Sequence, residues 1–264
     1  MVKRIIQKGY IGLVIVFLYA PILVLAVLSF NSSKSRAKWG GFTLKWYQKM
    51  LENDKILNAL WTTLLLALAS ALLATLLGTL AAVAINRMKK LPKAVMMSIT
   101  NIPLLNSEIV TGISLMLLYF AVSFSLGFTS VLLALTAAHM PYVILSVLPK
   151  LRQTSKSTYE AALDLGAPPL AAFFRIVLPD IFPGVLSGFM LAFTLALDDF
   201  VITHFTKNAR VNTLSTVIYA ETRRGIEPEI YALSTVMFTA VLVLLIAVNR
   251  TKAKAAKKAA ERQR

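Results

Sequence analysis

Six long apolar runs, separated by short polar and basic segments, leave this chain few ways to fold. They cover about Tyr10–Phe30, Asn58–Ile85, Val95–Phe120, Ser130–Leu148, Pro183–Phe205 and Ala232–Val248, and each is near the ~20 residues that cross a bilayer as a helix. Only 15% of the 264 residues are charged and the mean hydropathy is +0.70, which excludes an ordinary soluble domain. In hydrocarbon every backbone polar group must be paired within its own segment, so such runs form helices. The expected fold is all-α: a polytopic membrane protein of six transmembrane helices. The first run is too long for a signal peptide and no small-residue cleavage site follows it, so it is read as an uncleaved span.

Charge sets the expected orientation. Lys3, Arg4 and Lys8 precede the first run, and Arg87, Lys89, Lys90 and Lys93 follow the second. Lys150, Arg152, Lys156 and Arg175 follow the fourth, and the tail after the sixth carries Arg250, Lys252, Lys254, Lys257, Lys258, Arg262 and Arg264. An even number of spans puts these segments on one side, which the positive-inside rule makes the cytosol, with both termini there. The net charge of +16 therefore reads as an orientation signal. No aromatic-basic stripe of a nucleic-acid binder accompanies it. With no cysteine in the chain, disulfides and thiolate metal sites are excluded.

The organisation expected is an N-terminal helix and outer amphipathic loop over 1–57, a five-helix core over 58–250, and a basic tail over 251–264. Phe42–Leu51 has apolar residues at helical spacing and aromatics suited to a membrane interface. Ile226–Glu229 reads as the turn into the sixth span.

Between the fourth and fifth runs lies a polar insert, about 154–179, with a pattern of its own. Ser157 or Thr158 is placed to cap a helix, and Glu160 suits its first turn. Ala161, Ala162 and Leu165 give a small-residue face that admits a partner backbone, and Gly166 permits a sharp turn. Pro168 and Pro169 restart the chain, and Ala171–Val177 reads as a second short helix before Leu178-Pro179. Read from residues alone, this is equally a cytosolic helix-turn-helix under the bundle. However, Glu160-Ala161-Ala162, Gly166, Ile176, Leu178 and Pro179 stand at the spacing EAA-x3-G-x9-I-x-LP. In this string and its position the chain resembles the binding-protein-dependent permeases of type I ABC importers, over nearly its whole length.

The resemblance implies that these seven residues form the coupling loop that docks on a separate ATPase subunit, present as a dimer. It also implies a second, homologous permease subunit and an extracytosolic solute-binding protein. No G-x-x-x-x-G-K-[ST] phosphate loop occurs, so this chain is expected to be a non-catalytic permease subunit with no cofactor.

Of the 12 acidic residues only Glu108, Asp198 and Asp199 fall inside the runs, and no Lys or Arg does. Intramembrane ionisable groups are costly and mark function by default. Counted as continuous helices at ~1.5 Å per residue, Glu108 and Asp198 lie roughly 20 Å up from the cytosol. Carboxylates at one level suit a cation, with Asn101, Asn106, Ser107, Thr194 and Thr203 placed to complete polar contacts. The alternative is that Asp198 and Asp199 belong to a polar span end, capping backbone or pairing with Lys207 or Arg210. Adjacent helical residues point about 100° apart, so both face one pore only if the helix breaks there.

Ile102–Gly112, Leu195–Val201 and Gly225–Thr235 are similar to the corresponding segments of spermidine/putrescine permeases, most of all the second permease subunit. That likeness implies passage of a polyamine past Glu108, Asp198, Asp199 and Trp46. A di- or triammonium chain suits separated carboxylates and an aromatic face. Trp46 is equally an interface anchor, as are Trp39 and Tyr47. His139 is expected to bond a carbonyl freed by Pro141, His204 to be interfacial, and neither to hold a metal.

The function expected is thus a polyamine permease in a bacterial cytoplasmic membrane, in contact with lipid and not with nucleic acid. The alternatives are a permease of the same type for another cationic or metal-bound solute, such as ferric iron or thiamine, and an ATP-independent transporter.

Overall fold

The computed structural model describes residues 2–34, 37–224 and 227–243, and among these the architecture is all-helical, with one isolated bridge pairing Asn31 and Phe42. The chain divides into two compact units, one from the described residues of Met1–Asn58 and Val217–Arg264, the other Ala59–Thr216.

In the first unit, α1 (Val2–Leu28) carries the apolar stretch Gly9–Leu28, and no residue of that stretch is fully buried. A helix of that kind needs lipid or another chain to cover it. Below it Asn31 is a knot: its Oδ1 accepts the N–H groups of Ser33 (3.2 Å) and Gly40 (2.8 Å), and its Nδ2 donates to Lys38 O at 2.8 Å. The knot positions α2 (Lys45–Glu52), the amphipathic helix legible in the sequence, which buries Trp46 and Met50. Lys55 pairs with Glu221 at 2.7 Å and Lys49 with Glu229 at 3.7 Å, tying this loop to the segments before and within α12 (Pro228–Val243). Pro at the first position of α12 matches the turn expected there.

The second unit holds most of α3 (Asp54–Arg87), then α4 (Lys90–Leu105), α5 (Glu108–Ala121) and α6 (Phe128–Gln153). It continues through α7 (Lys156–Asp164), α8 (Pro169–Ala172), a π-helical turn over Phe173–Val177, α9 (Leu178–Asp198) and α10 (Val201–Thr206), and α11 (Leu214–Arg224) begins within it. The long α6 is its axis, buried against α3 on one side and α9 on the other. Small residues make that approach close. A Cβ on Gly78 would sit 2.8 Å from Val143 Cβ, and one on Gly188 3.1 Å from Val143 Cα. In lipid, where apolar burial supplies no net drive between helices, such backbone contact is what holds them. A second core joins Leu66, Tyr119, Val131, Leu135, Leu197 and Ile202.

Two of the expected spans are not continuous helices. The third breaks at Asn106-Ser107, where both residues are extended, and α4 and α5 meet at 107°. Pro103 has already removed one N–H from the last turn of α4, and Ser107 Oγ restarts the chain by accepting Val110 N–H at 3.4 Å. The depth count for Glu108 along a straight helix therefore does not hold. The fifth ends at Asp198, turns through an extended Asp199, and resumes as α10.

Among the described residues four helices are long and apolar enough to cross a membrane, five if the bent α4–α5 pair is one span. The expected sixth span is represented by the shorter apolar helix α12, and its residues 244–248 lie outside the described residues, as does the basic tail.

Candidate functional site

The two breaks come together. Helix α10 packs against α5 and α6, with Gly112 of α5 facing the Phe205 ring. The α5–α6 turn is tied to the end of α10: Tyr119 Oη donates to Ser130 O (2.9 Å), and Ser130 Oγ donates to Thr206 O (2.7 Å). Asn208 Nδ2 donates to Leu126 O at 2.9 Å. These contacts bring the start of α5, which carries Glu108, and the break before α10, which carries Asp199, into one packed region.

Asp199 is the most constrained of the three acids. Its Oδ2 accepts Thr203 N–H at 2.8 Å and Thr203 Oγ1–H at 2.7 Å, closing the first turn of α10. The capping alternative thus describes Asp199 correctly. Pairing with Lys207 does not occur: Lys207 Nζ donates to Val211 O (3.0 Å) and Asn212 Oδ1 (2.9 Å). Asp198 and Glu108 are exposed, and among the described residues the two ion pairs both lie in the other unit. Among the described residues these carboxylates thus have no ion-pair partner, and two helix breaks present them. Next in the chain the Phe200 and His204 rings lie with centroids 5.2 Å apart and a 31° tilt, and His204 meets Phe205 edge-on at 5.7 Å. This aromatic wall was not singled out in the sequence, where only His204 had been noted.

The other candidate residues lie elsewhere. Trp46, in the first unit, is 3% exposed, donates Nε1–H to Asn31 O at 2.7 Å, and carries its own Lys49 Nζ over the ring at 5.7 Å. Its geometry is that of an anchor. His139 is buried and its Nδ1 has no hydrogen-bond partner, so the bond expected with a proline-freed carbonyl is not made by that nitrogen. Thr194 Oγ1 donates to Met190 O at 2.8 Å, within its own helix.

The polar insert folds as a helix, a tight turn and a restart. Helix α7 begins two or three residues earlier than Ser157 or Thr158 would cap it; Ser155 stands at the N-cap position, and its Oγ meets Ser157 Oγ at 2.6 Å. At the other end Gly166 has φ +85, its N–H donates to Leu163 O (2.9 Å), and Ala167 N–H reaches back to Ala162 O (3.0 Å). This pair of bonds is the Schellman ending, which demands a left-handed residue at Gly166's position. Glu160 and Ala161 are exposed on α7, Ala162 is half-buried, and the exposed Leu165 and Leu170 extend an apolar edge. Ile176 falls in the π-helical turn rather than in the short α-helix expected there. Pro179 lacks an N–H for Arg175 O and its ring crowds that carbonyl, which widens the winding so that Leu178 N–H bonds back to Phe173 O.

Comparison with known proteins places both regions in one context. Residues 74–253 match the family described as binding-protein-dependent transport system inner membrane component. The chain is 36% identical over 247 residues to the spermidine/putrescine transport system permease protein PotC of Escherichia coli K12, covering 94% of each. It is 40% identical over 233 residues to the putrescine transport system permease protein PotI of the same organism, covering 85% of this chain and 83% of the relative. Among solved structures, a bacterial ABC transporter involved in import of the acidic polysaccharide alginate aligns with TM-score 0.71 at 17% identity, over 96% of this chain and 95% of that one. The MetNI methionine ABC transporter aligns with TM-score 0.62 at 18% identity, over 76% and 98%.

Proposed function

The chain belongs to the family of binding-protein-dependent transport system inner membrane components, and from that premise we propose that it is the permease subunit through which an ATP-driven importer passes spermidine or putrescine. The observation that carries the cargo assignment is that α10, docked on α5, sets the helix breaks at Glu108 and at Asp198-Asp199 in one packed region where, among the described residues, no ion pair reaches these acids. Separated carboxylates beside the Phe200–His204 wall match an extended chain bearing two or three ammonium groups. Helix breaks supply this surface because a straight helix would turn Asp198 and Asp199 about 100° apart.

In this reading the chain hydrolyses nothing. Glu160, Ala161, Ala162, Gly166, Ile176, Leu178 and Pro179 form the cytosolic coupling segment, docked on one subunit of an ATPase dimer. The apolar edge at Leu165 and Leu170 adds to that contact. A second permease covers the apolar faces that this chain leaves open, and a binding protein delivers the cargo from outside. Six spans, with α4–α5 as one and the apolar run that holds α12 as the last, leave both termini in the cytosol. Trp46 serves the assembly by anchoring the outer loop rather than by touching cargo, since its ring is buried and its face is taken.

The test is uptake of labelled spermidine and putrescine by the complete complex with its ATPase, partner permease and binding protein. ATP-dependent uptake is expected, abolished when this chain is left out. Uptake of neither amine, or competition by thiamine or ferric iron instead, overturns the assignment.

A further inference from the structure

A cavity of about 520 Å3 opens in the second unit where α3 and α6 end, and α7 and the π-helical turn form its far wall. Val83, Leu151 and Val177 give it an apolar floor; Asn86, Ser155 and Glu160 give it a polar rim. Helix α7 packs on its own sequence neighbours, α8 and the π-helical turn. An aromatic contact crosses the cavity to α3. The guanidinium of Arg87, the last residue of α3, lies over the ring of Tyr159, on α7 immediately before Glu160, at 5.4 Å from its centroid.

Each partner is suited to this. A cation at a helix C-terminus is favoured by the helix dipole. Guanidinium is planar and weakly hydrated, so it stacks on an aromatic face where an ammonium prefers water. Tyr159 is itself half-buried against the core that Ala82 and Ile85 of α3 make with Val143, Val147 and Ile181, which holds its ring in place for Arg87. A cavity crossed by this stack makes a joint: α7 can shift beside the end of α3 while the stack keeps its movement in register with that helix.

We infer that Arg87 and Tyr159 are positioning residues, forming the strut through which displacement of the coupling helix reaches the span α3. This rests on the coupling role proposed above for α7 and names residues outside the EAA-x3-G-x9-I-x-LP pattern. The strut acts on the efficiency of coupling. It touches neither ATP nor cargo.

The test uses the complete complex in proteoliposomes with Arg87→Gln, Tyr159→Leu, Arg87→Lys and Tyr159→Phe, measuring solute taken up per ATP hydrolysed. For the strut-breaking pair, Gln and Leu, that ratio is expected to fall roughly two- to fivefold, the range of an exposed cation–π contact. Tyr159→Phe, which keeps the ring, should hold it, and Arg87→Lys should fall between. A role in folding alone lowers uptake and hydrolysis together, leaving the ratio unchanged, and overturns the inference.

A second readout needs no cargo. The chain contains no cysteine, so a nitroxide on Asp164→Cys reports α7 alone within this subunit. Its mobility should rise with Arg87→Gln and Tyr159→Leu and stay unchanged with Tyr159→Phe; equal mobility in all of them overturns the strut. If polyamine uptake fails in the unmodified complex while the nitroxide responds as stated, the cargo assignment falls and the strut stands.

Discussion

Asp199 and Thr203 are joined by two hydrogen bonds, both accepted by one carboxylate oxygen, across the first turn of α10. In the function proposed above, capping and cargo contact are combined in a single side chain, and substitution can separate them. Asp199→Asn keeps an oxygen to accept from Thr203 but removes the charge. Uptake should fall at least about tenfold, equivalent to roughly 1.4 kcal/mol, with the complex still assembled. Thr203→Ala removes the hydroxyl bond and should cost about 0.5–2 kcal/mol of local stability while uptake is largely retained. Thermal melting and uptake measured on both variants give the comparison, and equal loss of uptake in the two would assign Asp199 to capping alone.

In the function proposed above Glu108 and Asp199 share a site, so their effects should not add. Glu108→Gln would remove a second carboxylate from the same cargo path. The double variant Glu108→Gln, Asp199→Asn should depart from the sum of the singles by about 0.5–3 kcal/mol, the range for coupled neighbours. Km for uptake in the four-member cycle measures this. Strict additivity would mean that the two carboxylates act separately.

Gly166 ends α7 in a conformation that resists side chains. Nothing lies within 4 Å of a Cβ placed there, so the cost of substitution is backbone strain and not collision. Gly166→Val should cost about 1–2 kcal/mol and lower uptake per ATP, whereas Gly166→Asn, whose side chain tolerates this region, should be much milder. Matching losses in both variants would point to crowding by a partner rather than to strain.

Trp46 is expected to behave as an anchor. Trp46→Phe keeps an aromatic face but leaves Asn31 O without its indole donor, a loss of about 1–3 kcal/mol. The melting temperature should drop while Km for polyamine stays the same. A raised Km at unchanged stability would return Trp46 to the cargo path.

Local sequence carried much of this. The apolar runs, the turn at Gly166, the amphipathic α2 and the Pro228 start of α12 were legible because each depends on a window of a few residues, where periodicity, proline and glycine dominate. The fate of the third run was not. Pro103, Asn106 and Ser107 are all visible, yet a proline in a membrane helix is as often tolerated as not. Whether the helix bends by 107° or runs straight is settled by what the next segment packs on. Likewise Lys207 looked available to Asp198 and Asp199, until the loop folded and gave it Val211 and Asn212 instead.

The sequence by itself therefore determined that this protein is a bundle of apolar helices with a coupling pattern between two of them, since hydropathy and motif spacing are properties of order along the chain. Only the tertiary structure decided that the break before α10 packs near the start of α5, that Trp46 is buried and bonded to Asn31, and that Arg87 reaches Tyr159. These arrangements come from α5 docking on α10, from the Asn31 knot, and from the placement of α7 by the end of α3. Contacts between segments distant in the chain depend on how all of them pack at once, and no single window records them.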